Sequence, residues 1–180
     1  MSLTLPTQKE VVLDSNKFVK TWFIFLENIY KLCGESRNVY LGGTISVNTT
    51  DATNISGETD LMTYTLDKNM LKYDNEILDI KCYGTFAANT NSKTLKLYLG
   101  STEIYTTTTS QNGGSFCINT SIVRKSSAEE SIISDFNGSS SYYSASEDLT
   151  TSLTLKLTGN SSSNADITQK GMLIKLQLNN

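Results

Sequence analysis

Histidine is absent from this chain of 180 residues, and with it go Ser-His and Cys-His dyads, His-ligated zinc and the usual general base at neutral pH. Proline occurs once, at Pro6, and arginine only at Arg37 and Arg124. The 15 basic residues are outnumbered by 18 acidic ones, giving a formal charge of −3. Nothing in that balance attracts a phosphate backbone, so nucleic acid is not an expected partner. The three cysteines, Cys33, Cys82 and Cys117, lack metal-ligand spacing and cannot all pair within one chain, so they are expected to be reduced, buried thiols. No stretch approaches the ~20 apolar residues of a membrane span. Met1 to Pro6 has neither the basic nor the apolar region of a secretory signal, so synthesis in the cytoplasm without export is the expectation.

What the chain does contain is 38% hydrophobic residues, with 9 Tyr and 6 Phe, and many Ser and Thr against only 18% charged residues. That suits one domain with a real core, strand-rich, under an uncharged hydroxyl surface. Residues 1–36 separate from the rest as an arm and an anchoring helix. Asn16 to Cys33 is the helical stretch, with N-caps available at Asp14, Ser15 and Asn16, Lys31 in the last turn and Gly34 as a stop. Phe18, Trp22, Phe25, Ile29 and Leu32 form one apolar seam, and Val19, Phe23, Leu26, Tyr30 and Cys33 form a second beside it. One seam docks a helix on its own core, so the other is expected to meet a second copy or a larger assembly.

From residue 37 to 180 the period is two, which predicts about eight or nine strands. Ile77 to Ala88 places Leu78, Ile80, Cys82, Gly84, Phe86 and Ala88 on one face. Leu95, Leu97 and Leu99, then Phe116, Ile118 and Ile122, then Leu153, Leu155 and Leu157, then Met172, Ile174 and Leu176 repeat the pattern, and Ser131 to Phe136 adds a further strand. Turns are expected at Asn89 to Ser92 and at Gln111-Asn112-Gly113-Gly114, with a bulge at Gly42-Gly43, a polar loop from Asn48 to Asp60 and a long Ser-rich loop from Asn137 to Asp148. With no helix long enough for a crossover, the sheets must be antiparallel, and a jelly-roll-like β-sandwich is the expected fold.

Chemistry is sparse. Asp60, Asp79, Glu103, Asp135, Glu147 and Asp148 are the carboxylates from which a glycosidase pair would have to come, and surface charge is the simpler reading of them. Asp51, Asn54 and Asp60, or Glu147 and Asp148, could supply oxygen to calcium, but no spacing resembles an EF-hand and turn residues explain them. No catalytic residue, cofactor or metal site is therefore expected. Tyr105, Tyr142 and Tyr143 are the candidates for stacking on a sugar ring, against the alternative of edge packing or intersubunit contact.

The run Leu61-Met62-Thr63-Tyr64-Thr65-Leu66, followed by Glu76 to Leu97 with its Asn89-Thr90-Asn91-Ser92-Lys93 turn and then Gly100, resembles structural proteins of tailed bacteriophages. Pro6 with Thr21-Trp22-Phe23-Ile24-Phe25-Leu26 is similar to short phage virion proteins carrying a Trp-containing helix. The resemblance implies a non-enzymatic homotrimeric β-knob on a virion, as a tail fibre or needle component or a head decoration protein. Its partners would be its own copies and other tail or capsid proteins. The alternative is a carbohydrate-binding, receptor-recognising module for a host-surface glycan.

Overall fold

The computed structural model describes residues 43–178. The arm, the helix and the two seams expected before residue 37, Phe18, Val19, Trp22, Phe23, Phe25, Leu26, Ile29, Tyr30 and Leu32 among them, lie outside the described residues. Eleven strands follow: β1 (Gly43–Asn48), β2 (Ala52–Thr53), β3 (Gly57–Leu66), β4 (Ile77–Phe86), β5 (Lys93–Leu99), β6 (Thr102–Thr109), β7 (Ser115–Ser126), β8 (Glu129–Phe136), β9 (Ser139–Ala145), β10 (Leu153–Ser161) and β11 (Ile167–Gln177). Among the described residues there is no helix. The larger sheet runs β1-β11-β4-β7-β8-β9, with β2 also paired to β11, and the smaller runs β3-β10-β5-β6. All pairings are antiparallel, as expected from the lack of a helix long enough for a crossover.

Alternation decides what each strand buries. On the small sheet Leu95, Leu97 and Leu99 of β5 and Leu155 and Leu157 of β10 are sealed from solvent; on the large sheet Leu78 and Cys82 of β4, Ile118 and Ile122 of β7, Ile132 of β8 and Ile174 of β11 are equally sealed. Each such aliphatic side chain contributes roughly 1.5–3 kcal/mol by leaving water. Cys82 is a core thiol as expected, and burial pushes its pKa up to about 12, which keeps it protonated and inert.

Two expectations need correction. The Ser-rich stretch 137–148 is not a long loop: it begins with a two-residue turn and becomes edge strand β9. Asn137 and Gly138 both take positive φ (48° and 93°), the twist that a tight hairpin demands, and the Asn137 side chain accepts from the Cys117 backbone N–H at 2.9 Å. The stretch was unreadable as strand because an edge strand buries little and so shows no apolar alternation. The expected polar loop 48–60 likewise contains β2 and the first residues of β3.

One end of the sandwich is closed by a polar plug. Lys93 is fully buried, and its Nζ donates to Asn89 O and Oδ1 at 2.9 Å each, Asn91 O at 3.1 Å and Gln111 O at 3.2 Å. Beside it buried Asp166 accepts from Ser161 Oγ (2.5 Å), Asn89 Nδ2 (2.6 Å) and Asn91 Nδ2 (2.9 Å), and these bonds hold its carboxyl below the ordinary range. Asn54 joins in through its Oδ1, which accepts from the Ile167 N–H at 2.8 Å. The loops β2–β3, β4–β5, β6–β7 and β10–β11 are thereby pinned to one another.

Candidate binding face

The outward phase of the large sheet is set by register. Thr44 opposes Lys175, Lys175 opposes Asp79, Asp79 opposes Ser121, Ser121 opposes Ile133, and Ile133 opposes Tyr142, so one row of side chains crosses the sheet from β1 to β9. A neighbouring row runs through Val47, Leu173, Lys81, Asn119, Asp135 and Ser140. Between the rows lies a depression of ≈ 220 Å³ whose lining includes Asp79, Lys81, Asn119, Ser121, Leu173 and Lys175. Amide, hydroxyl, carboxylate and ammonium groups beside half-buried Leu173 are what a hydroxyl-rich ligand needs for orientation and partial desolvation.

The polar groups differ in how they are held. Asp79 accepts from Ser121 Oγ at 2.5 Å and, on its other oxygen, from Gln177 Nε2, so its carboxylate is fixed in place. Lys81 and Lys175 are exposed and, among the described residues, have no ion-pair or hydrogen-bond partner. On the same face, beyond the residues that line the depression, stand exposed Tyr83, two positions past Lys81 on β4, Ile133 opposite Ser121, and Tyr142 opposite Ile133, the last 63% exposed. The Tyr83 ring lies across Gly171 of β11, where even a methyl group would come within 2.4 Å of the ring. Only glycine leaves room for that ring over the strand.

The small sheet's outer face carries a comparable number of charges, but they answer one another. Lys96 reaches Glu58 at 3.3 Å and Glu103 at 3.4 Å, Lys156 reaches Asp60 at 2.9 Å and sits 5.4 Å over the Tyr98 ring, and Glu58 also accepts from Thr158 and Tyr98. Burial pushes the Glu58 carboxyl up, and the bonds from Thr158, Tyr98 and Lys96 more than offset this, leaving it below its ordinary value.

Of the three tyrosines singled out in the sequence, the structure separates one from the other two. Tyr142 is outward on β9, with its hydroxyl accepting from Ser131 Oγ at 3.2 Å. Tyr105 is buried on β6 and meets half-buried Tyr143 edge-on, with centroids 5.9 Å apart at 84°. The candidate carboxylates each have a local partner: Asp60 has Lys156, Asp79 has Ser121, Glu103 has Lys96, Asp135 has the Gly138 N–H, and Asp148 has Thr150. Glu147 accepts from the backbone and hydroxyl groups of both Ser101 and Thr102, closing the β5–β6 turn. Among the described residues no three His, Cys, Asp or Glu side chains converge to hold a metal ion. Also among them, no helix is long and apolar enough to cross a membrane.

Tyr83, Lys81, Asn119 and Lys175 escaped the sequence reading as a group. Alternation along β4 already turned Lys81 and Tyr83 outward, but the partners that complete the face come from strands far away in the chain.

No protein-family model matches the chain, and no curated protein matches it. Among solved structures it is similar to the CBM2 module of the evolved Dit of Lactobacillus casei BL23 phage J-1, with a TM-score of 0.39 and 12% identity over 84% of this chain and 86% of that one. A likeness at that score carries neither a ligand nor a role over to this chain.

Proposed function

We propose that this chain is a non-enzymatic binding module that recognises a host-surface glycan on the outer face of its larger sheet. The observation that carries this reading is the depression between Asp79, Lys81, Asn119, Ser121 and Lys175, with the exposed Tyr83 ring over Gly171 on the same face. Sugar recognition asks for planar apolar surface next to fixed donors and acceptors, and this face offers both. Tyr142 is the outer ring on the ligand side, while Tyr143 and Tyr105 hold β9 in place behind it. The carboxylates being tied to local donors supports a binding role over hydrolysis. Strand order supports the jelly-roll reading: β1-β11-β4-β7 facing β3-β10-β5-β6 is the interleaving that two nested Greek keys produce, with β8 and β9 added as a hairpin at one edge.

A glycan array tests the proposal. Wild-type protein binds at least one oligosaccharide class, and Tyr83→Ala or Asn119→Ala weakens that binding about tenfold. Silence across the array, or binding that survives both substitutions, overturns it.

The second reading concerns assembly, and the two adjacent apolar seams before residue 34 favour it: a homotrimeric virion component of a tailed bacteriophage, attached through its arm and helix as a tail fibre or needle knob or as a head decoration protein. Mass measurement of the full chain decides. A trimer that persists on dilution supports the reading, and a stable monomer removes it.

A further inference from the structure

Among the described residues, basic side chains on strands fall into two groups. Lys96, Lys125, Lys156, Lys170 and Arg124 each pair with a carboxylate, and Lys93 is held in its cage of oxygens. Lys81 and Lys175 alone have no such partner, and both line the depression. They approach it from adjacent strands: Lys175 directly opposes Asp79 on β4, and Lys81 lies two residues further along that strand. On one face of a sheet such positions stand within reach of the same bound group. Two ammonium groups and one carboxylate leave a surplus of one positive charge, in a molecule whose formal charge is −3. Ser121 and Gln177 are neutral donors that orient Asp79 and leave its charge in place, so it offsets one of the two ammonium groups and not both.

We infer that the face selects an acidic saccharide, one carrying a single anionic group per repeating unit, with Lys81 and Lys175 straddling the anion while Asn119 and Ser121 read neighbouring hydroxyls and Tyr83 supports the ring. This rests on the glycan-binding reading and names its ligand class. The anion can be a uronate carboxylate or a phosphodiester of a glycan-phosphate polymer; an ammonium pair serves either, because lysine acts as a point charge without the bidentate geometry of arginine.

The test is calorimetric titration of the full chain with three probes: an oligogalacturonate, a phosphodiester-linked galactose oligomer and a neutral galacto-oligosaccharide of matched length. One or both acidic probes bind at least tenfold more tightly than the neutral one, and that preference shrinks as NaCl rises from about 50 to 500 mM. Lys81→Gln with Lys175→Gln abolishes the preference while circular dichroism and melting stay unchanged. Binding of the uronate alone or of the phosphate polymer alone assigns the anion. Equal binding of acidic and neutral probes, or a preference that survives the double substitution, overturns the inference while leaving the glycan reading in place. Binding of none of the three, joined by silence across the array, removes both.

Discussion

The two outer faces of this sandwich are made of the same residue types and differ in whether their charges are spent. On the small sheet, Glu58 is met by Lys96, Tyr98 and Thr158, and Lys156 by Asp60 and the Tyr98 ring, so an incoming ligand would have to displace contacts already made. On the large sheet, Lys81 and Lys175 stand open beside an oriented Asp79 and exposed rings. Composition does not separate a structural face from a binding face; internal satisfaction does.

The contrast breaks most visibly at the extreme of satisfaction, Lys93. Lys93→Met leaves the oxygens of Asn89, Asn91 and Gln111 buried without their donor, and about 3–5 kcal/mol of unfolding free energy is lost in urea titration. A loss below about 1 kcal/mol would show the cage to be dispensable. Gly171→Ala comes next: the new methyl group displaces the Tyr83 ring, costing about 1–3 kcal/mol and weakening glycan binding together with stability.

Glu130 tests a charge that is satisfied only halfway. It is buried, one oxygen accepts from the Glu147 N–H at 3.2 Å, and the other has no hydrogen-bond partner among the described residues. Burial raises its carboxyl above the ordinary 4.5, with the Glu147 N–H opposing and the Glu147 charge adding to the rise. The folded state therefore holds the proton more tightly than the unfolded chain does. The stability this gives is fully present below the ordinary carboxyl range and is lost as pH rises through the raised value. Glu130→Gln is expected to flatten that decline, so urea midpoints at about pH 4 and pH 8 converge in the variant relative to wild type; parallel shifts of both would refute it.

The smallest stability effects draw the sharpest line between the faces. Lys156→Gln costs less than about 1 kcal/mol and leaves ligand binding intact. Lys81→Gln and Lys175→Gln leave the melting temperature unmoved and change binding alone. A melting loss from Lys81→Gln or Lys175→Gln as large as that from Lys156→Gln would erase the distinction.

Much of this architecture was legible because burial on one face imposes a period of two. Leu95-Leu97-Leu99, Leu153-Leu155-Leu157 and the β4 run through Cys82 could be assigned from spacing, and the Gln111 to Gly114 turn follows from Gly113 and Gly114, both at positive φ. Strand β9 was not legible, because Ser139 to Ser144 lies at an edge where little is buried and hydroxyls replace the apolar signal. The binding face was legible only in single residues. Asp79 was visible as a carboxylate and Tyr142 as a ring, but nothing in a linear sequence places Lys175 opposite Asp79, or Ile133 between Ser121 and Tyr142. Register is a property of pairs of strands, so a face assembled from six of them emerges only once the sheet is built.

Lys93 gives the module an independence of its own. Loops gathered around a group of inward-facing oxygens are commonly held by a dissolved ion that comes and goes with the medium; here the positive centre is covalently part of the chain. It cannot be chelated, diluted or exchanged, so that end of the sandwich stays shut in hard water, soft water or buffer alike.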